Sequence, residues 1–398
     1  MKKKILFMLI NMNVGGTEKA LLNMISEMPK SDYDITILML EEYGGFLDSI
    51  PNDVHVEYVK EYNDLMDVLN KPPKEVAINL LKKGKIRSGV GLLFTYVLSK
   101  LVKSKSIFFK YILKDVPNFI SEYDVAVAYA GPMDFISYFV IHKIKAKRKI
   151  QWIHFDIGKI DFDTNFATKL YREFDKLFVV SDEGRSRLVK RLPELLNKVD
   201  TFHNIISPQS LLKKADEGIG FNDQFKGIRI LTVGRLSKEK GQDLIITVLA
   251  NLKENGFNVR WYCIGEGNER DKYEELITKY KVKEDFILLG ASPNPYPFMK
   301  ECDIYVQPSR HEGYCITLAE AKCFDNPIVS TNFTGAKEQL SNNKLGLIVK
   351  FDEREMVDAL MKLLNDDNHR SLCREGLHKE NINNTKEINK LIGIANVT

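Results

Sequence analysis

The chain has 398 residues, of which 44% are apolar and 28% charged, with a net charge of +4. That is the composition of an ordinary soluble globular protein, and at roughly 100–200 residues per domain it suggests two domains rather than a disordered chain. So modest a net charge names no partner, and no run of about 20 residues is apolar enough to span a bilayer.

The N-terminus, "MKKKILFMLINMNVGG", imitates a short signal peptide, but it leads into Gly-Gly and a helical pattern without a small-residue cleavage site. It reads as a first buried strand. Further strands are expected at "YDITILML", "VHVEYV", "YDVAVAYA", "KIQWIHF", "KLFVVS" and "VDTFHNII", then at "IRILTVG", "VRWYCIG", "DFILLG", "CDIYVQ", "PIVSTN" and "LGLIVKF". These are mostly continuous apolar runs alternating with helical patterns, as in parallel sheets covered on both faces. The break at 207–227, "SPQSLLKKADEGIGFNDQFKG", shows no strand pattern. The expectation is an α/β chain of two doubly wound, Rossmann-like domains, 1–205 and 227–380, with a linker at 206–226. A tail at 381–398 would pack back on the first domain. Ligands in such sheets bind beyond the carboxyl ends of the strands, which here means the cleft between the domains.

The stretch 76–114 stands apart, because it has no acidic residue and alternates lysines with Leu, Phe, Tyr and Ile. It reads as a basic amphipathic segment suited to an anionic membrane surface, against the plainer reading of a solvated basic face. No recognised nucleic-acid module accompanies it. The five cysteines are scattered without a CxxC pair, which points to reduced thiols in a cytoplasm and to no metal site.

Five motifs carry candidate chemistry. In "NVGGTEKALLNMISEM" (13–28), Gly15 and Gly16 let the backbone approach a ligand, and Thr17 is placed to cap the next helix. Gly-Gly before a helix is also a common plain turn. In "VGRLSKEKGQDLII" (233–246), Arg235 and Lys240 flank a loop with Gly234 and Gly241, where two cations would neutralise a diphosphate leaving group. The rigid turn "NPYP", with Asn294 and Tyr296, would present backbone groups and a ring to a planar base, or simply pack its tyrosine. In "RHEGYCITLAEAKC" (310–323) a helix starts near Cys315 or Ile316. That leaves Glu312 in the loop beside the free N–H groups of 314–316 and Glu320 just over one turn into the helix. The two carboxylates read as grips on two parts of one ligand rather than as a glycosidase acid/base pair. In "IQWIHFDIG" (150–158), His154 would face the cleft, with Asp156 as a polar partner of His154 or of the acceptor.

"GGTE", "VGRLSKEKG", "NPYPFMKECDIYVQPSRHEGYCITLAEA" and "PIVSTNFTGAKEQL" together resemble the retaining glycosyltransferases of the GT-B fold, family 4, over nearly the whole chain. The resemblance implies two domains facing a deep cleft. A nucleotide-sugar donor, with UDP as the prior expectation for the base, would sit mainly on the second domain and the acceptor on the first. Transfer would retain the anomeric configuration without a metal ion or other cofactor. By position, Arg235 and Lys240 would bind the diphosphate and Glu320 the ribose. Glu312, with the backbone of Gly313, Tyr314 and Cys315, would hold the donor sugar, with Ile316 beside them. Gly15 and Gly16 would approach the diphosphate, and His154 the sugar. Cys315 stands where many relatives carry a small or apolar residue such as Gly or Pro. The expected function is transfer of a hexose-type sugar to a lipid-linked or saccharide acceptor, in the cytoplasm and peripherally on the inner face of the membrane. The rival expectations are a nucleotide-sugar 2-epimerase of the same fold and a non-catalytic sugar-nucleotide-binding partner of another transferase. The sequence leaves the oligomeric state open.

Overall fold

The computed structural model describes residues 2–131, 134–158, 163–340, 345–380 and 382–396. The first sheet is built from β1 (Lys3–Leu9), β2 (Tyr33–Met39), β3 (His55–Tyr58), β4 (Glu122–Gly131), β5 (Lys145–Ile153), β6 (Lys176–Val179) and β7 (Val199–Thr201). Its order is β3-β2-β1-β4-β5-β6-β7. The second sheet holds β8 (Ile228–Val233), β9 (Val259–Ile264), β10 (Phe286–Gly290), β11 (Ile304–Gln307), β12 (Ile328–Thr331) and β13 (Leu347–Val349), in the order β10-β9-β8-β11-β12-β13. Every pairing in both sheets is parallel. All thirteen expected strands form. The central runs cross a sheet buried on both faces, as the fully buried Ile5, Leu6, Phe7 and Met8 of β1 illustrate, while the edge strand β3 is largely exposed.

The crossover helices of the first domain are α1 (Gly16–Glu27), α2 (Tyr62–Asn70), α3 (Pro73–Lys82), α4 (Ile86–Leu101), α5 (Lys105–Ile112), α6 (Asp134–Lys143), α7 (Thr164–Tyr171) and α8 (Asp182–Arg191). They are followed by α9 (Pro208–Asp216), α10 (Gln242–Glu254), α11 (Arg270–Lys279), α12 (Tyr296–Glu301), α13 (Ile316–Ala321), α14 (Ala336–Gln339), α15 (Glu353–Asn365), α16 (Asp367–Lys379) and α17 (Ile388–Asn396). Ala20, Leu21, Met24, Ile25 and Met28 form one buried face of α1 and its end. The helix is capped by Gly15 in an extended conformation, without a side-chain hydrogen bond, so Thr17 lies inside it rather than at its cap.

The stretch 206–226, expected as a linker, contains α9. Its Leu211 and Ala215 join the second domain's core, and Asn294 Nδ2 donates to Lys214 O at 2.8 Å. At the other end, Ile388, Leu391 and Ala395 of α17 are buried in the first domain's core beside Val125 and Phe202. The chain therefore returns to the first domain after completing the second. None of the helices is long and apolar enough to cross a membrane, among the described residues.

Candidate active site between the two sheets

The carboxyl ends of the two sheets face each other, and their loops touch. The turn after β1 brings Gly16 to the second domain, where a Cβ on it would lie 3.5 Å from Ile316 Cγ2. A Cβ on Gly15 would meet Glu18 Oε2 at 2.4 Å and Arg235 Nη2 at 3.6 Å, so no larger residue fits there without moving charged groups of the cleft. The loop after β5 meets the loop after β11 backbone to backbone. A Cβ on Gly313 would fall 2.2 Å from His154 O, which only glycine avoids.

Arg235 follows β8 and is exposed. Lys240 ends a short 3-10 turn, and Gly241 after it takes φ +71° with its Cα face against Pro308 O. This close approach sets the Lys240 side chain against the loop after β11. There Lys240 Nζ donates to Glu312 Oε1 at 2.5 Å, with side-chain exposures of 23% and 12%. Burial lowers the ammonium's pKa, but the Glu312 carboxylate more than offsets this and holds it above its usual range. Glu312 also accepts from Ser309 Oγ at 2.8 Å, and Ser309 accepts from Gln307 Nε2 at 2.8 Å. Tyr305 and Thr317 hydroxyls donate to Gln307 Oε1 at 2.8 and 3.2 Å. A buried polar ladder therefore runs from β11 to the Lys240–Glu312 pair and fixes the carboxylate's direction.

The helix α13 begins at Ile316, with Cys315 in the left-handed region (φ +65°). The Cys315 thiol is buried, which pushes it up to about 12, so it is neutral, and its Sγ lies 3.4 Å from Thr317 Oγ1. Tyr314 packs against both cores, its ring centroid 5.8 Å from that of His203, and its carbonyl accepts from Gln339 Nε2.

Glu320 is 2% exposed, and its Oε1 accepts from the Tyr296 hydroxyl at 2.7 Å. Burial raises its pKa, with Lys19 acting in the opposite sense. Of the two readings left open for Tyr296, a ring presented to a planar base or a packed tyrosine, the structure has the second: the residue is wholly buried, stacks on Phe324 and donates to Glu320. Asn294 is turned toward α9 through Lys214 O. Two charged residues that received no role from the sequence also meet this site. Lys19 Nζ lies 4.9 Å from the Tyr296 ring centroid and 5.4 Å from that of Phe46, and Glu18 sits beside Arg235. They follow Gly-Gly in the first turn of α1, a position that itself points them across the cleft.

His154 lies against Tyr129, with ring centroids 4.4 Å apart. Burial brings its pKa down to about 3, so the imidazole is neutral, and its buried Nε2 has no partner among the described residues. Asp156 does not pair with it. Asp156 accepts from Arg187 Nη1 at 2.6 and 2.7 Å and from Thr334 Oγ1 of the second domain at 2.7 Å, tying the domains together. A second tie joins Glu338 of α14 to the start of α8, where it accepts from Glu183 N at 2.5 Å and Asp182 N at 3.0 Å. The structure thus brings Gly15, Gly16, Gly234, Arg235, Lys240, Glu312, Gly313, Tyr314, Cys315, Ile316 and His154 to one interdomain seam. Glu320 lies at its buried end, and Asn294 outside it.

Comparison with known proteins fits this geometry. Residues 221–379 match the family model of glycosyl transferases group 1. The chain is 32% identical over 200 residues to N-acetylgalactosamine-N,N'-diacetylbacillosaminyl-diphospho-undecaprenol 4-alpha-N-acetylgalactosaminyltransferase of Campylobacter jejuni, covering 50% of this chain and 53% of that one. It is 28% identical over 148 residues to the capsular polysaccharide biosynthesis glycosyltransferase CapM of Staphylococcus aureus, covering 35% and 37%. The chain thus spans about half, or less, of the length of these relatives. Among solved structures, Anabaena HepE in complex with UDP superposes with a TM-score of 0.69 at 16% identity, over 99% of this chain and 98% of that one. TarM of S. aureus superposes with a TM-score of 0.69 at 15% identity, over 99% and 100%. The chain has the GT-B fold, and residues 221–379 within it are similar to glycosyl transferases group 1.

Proposed function

We propose that this protein is a retaining, metal-independent glycosyltransferase of family 4. It moves a hexose-type sugar from a nucleotide sugar, a UDP-sugar in this reading, to a lipid-linked or saccharide acceptor in surface polysaccharide, glycolipid or cell-wall glycopolymer synthesis. We place it in the cytoplasm, peripherally on the anionic inner face of the membrane. The observation that carries the reading is the convergence of Arg235, Lys240 and Glu312 beyond the carboxyl end of the second sheet, opposite Gly15 and Gly16. Further support comes from the UDP complex of HepE and from the undecaprenol-linked substrate in the name of the Campylobacter relative.

In this reading the donor diphosphate lies between Arg235, Lys240 and the Gly15–Gly16 turn. As the bond to the anomeric carbon breaks, negative charge grows on the diphosphate, and the two cations stabilise it, with domain closure to exclude water. They supply the positive charge the leaving group requires, so the proposal needs no metal ion. Glu312 and the 313–315 backbone hold sugar hydroxyls, and Glu320 holds the ribose diol. The unpartnered Nε2 of neutral His154 is buried, so it takes a sugar hydroxyl only as the domains open. The acceptor hydroxyl attacks from the face the leaving group departs, which needs no enzymic nucleophile.

The test is calorimetric titration with a panel of nucleotide sugars, followed by transfer assays with the donor that binds. Lys240→Ala and Glu320→Ala are each expected to reduce transfer at least about a hundredfold while the fold survives. Wild-type rates in both variants would refute the site, and no binding of any nucleotide sugar would refute the function.

A further inference from the structure

The basic stretch 76–114 folds as three helices, and they do not share one face. Gly89 and Gly91 seat α4 against its neighbours. A Cβ on Gly89 would lie 2.8 Å from Leu81 Cγ of α3, and one on Gly91 would lie 2.3 Å from the Tyr111 hydroxyl of α5. Leu92 enters the first domain's core, as do Phe109 and Ile112 of α5. This seating fixes which side of α4 faces outward. On that side stand Ile86, Val90, Phe94, Val97 and Leu101, which are 64, 54, 65, 50 and 76% exposed. At about 100° per residue these five positions fall within an arc of roughly 80°, a ridge one side chain wide along the whole helix. Arg87 and Lys100 flank it on opposite sides, and Lys82, Lys83, Lys85 and Lys103 lie exposed at its ends. Among the described residues, none of these six cations forms an ion pair.

We propose that the outward ridge of α4 is a membrane-insertion element: it lies in the plane of an anionic phospholipid surface, with the five apolar side chains below the headgroups and the flanking cations among the phosphates. An exposed apolar stripe marks an interaction surface, and the unmatched cations decide which kind. A second copy of the chain docked ridge to ridge would bring like charges together, which disfavours that partner. A bilayer with anionic headgroups matches both parts, since long basic side chains extend to phosphates while their stems stay with the apolar ridge. The inference narrows the membrane contact from a 39-residue basic stretch to one face of one helix. It names the surface used in the proposed function but stands on the geometry of α4, independently of the transferase reading.

The experiment is flotation of the full chain with vesicles of phosphatidylcholine alone or mixed with phosphatidylglycerol, at low and high salt. The wild type is expected to float with the anionic vesicles and to be only partly released by salt, because the apolar contacts are insensitive to screening. The exposed-site variant Val90→Ser/Phe94→Ser/Leu101→Ser is expected to lower the partition coefficient at least about tenfold on those vesicles. Arg87→Glu/Lys100→Glu should lower it at low salt only. Unchanged melting and unchanged nucleotide titration in the variants separate this surface from the cleft. Three results would overturn the inference: no flotation of the wild type, equal flotation of the triple serine variant, or self-association of the wild type that the triple variant abolishes.

Discussion

Tyr296→Phe removes one oxygen atom and little else, because the ring is wholly buried and its shape is kept. The lost hydroxyl donates at 2.7 Å to Glu320, a carboxylate only 2% exposed. A hydrogen bond to an ionised acceptor is worth about 1.5–3 kcal/mol, and one to a neutral acceptor about 0.5–1.5 kcal/mol. The variant should therefore lose about 1.5–3 kcal/mol at a pH where Glu320 is ionised, a fall of roughly 2–4 °C in melting temperature per kcal/mol for a domain of this size. Burial raises the folded-state pKa of Glu320. For a raised carboxyl the stability contribution is complete below the unfolded pKa of about 4.3 and is lost as pH rises through the folded value. The penalty of Tyr296→Phe should accordingly shrink as pH falls and Glu320 takes up its proton. Urea unfolding of both proteins over a pH series rising from about 4.3, the ordinary glutamate value, paired with calorimetric UDP titration at its alkaline end, reads this directly. UDP affinity should fall with the loosened carboxylate. A penalty that stays constant over the whole series, or no penalty anywhere in it, would refute the assignment of the hydroxyl as the support of an ionised Glu320.

Other perturbations follow from the same seam. Gly313→Ala places a Cβ 2.2 Å from His154 O, a backbone atom that cannot rotate away. Small-angle scattering should show a larger radius of gyration, and transfer should fall with it; unchanged values for both would contradict the closed contact. Thr334→Ala removes the hydroxyl that crosses from the second domain to Asp156 at 2.7 Å, and should cost about 1–2 kcal/mol in chemical denaturation, with Arg187 still paired. His203 lies 3.9 Å from both Asp182 and Glu338, and Glu387, on the segment leading into α17, adds to their field. The neighbouring Glu338 carboxylate, opposed by burial, leaves its pKa raised. Its contribution is therefore complete below the ordinary imidazole value of about 6.5 and is lost as pH rises through the folded value. His203→Gln should flatten the decline of melting temperature over that interval in scanning calorimetry, and an unaltered slope would remove His203 from the domain junction.

The strands were legible because a strand buried on both faces needs a continuous apolar run, and most of the thirteen stand out as such runs between helical patterns, the exposed edge strand β3 being an exception. The start of α13 was legible for a local reason as well, since glycine and polar residues end where the apolar helix begins. Partners were harder to read. Lys240 and Glu312 were each assigned to a ligand, but nothing in their spacing says that the turn after β8 and the loop after β11 put them 2.5 Å apart. Tyr296 and Asp156 show the same limit. Sequence periodicity reports whether a position is buried, not which distant hydroxyl or guanidinium meets it, so a tyrosine holding a carboxylate resembles one awaiting a base. The helix α9 was missed because Pro, Gly and mixed charge surround it, although Pro208 at its first turn is a helix-starting signal.

Glu18 and Lys19 are adjacent in sequence, yet they stand by opposite charges of the other domain, Arg235 and the Glu320 node, while Lys240 and Glu312 satisfy each other. The charges of the seam are thus nearly balanced, group by group. In the proposed function a diphosphate bound here would exchange partners: Arg235 would leave the neighbourhood of Glu18, and Lys240 would loosen from Glu312. Recognition would then depend on the difference between two sets of charge contacts rather than on the sum of one. Selectivity would follow, since a free anion can replace Glu18 at Arg235 but cannot also occupy Glu312 and Glu320 once they are released.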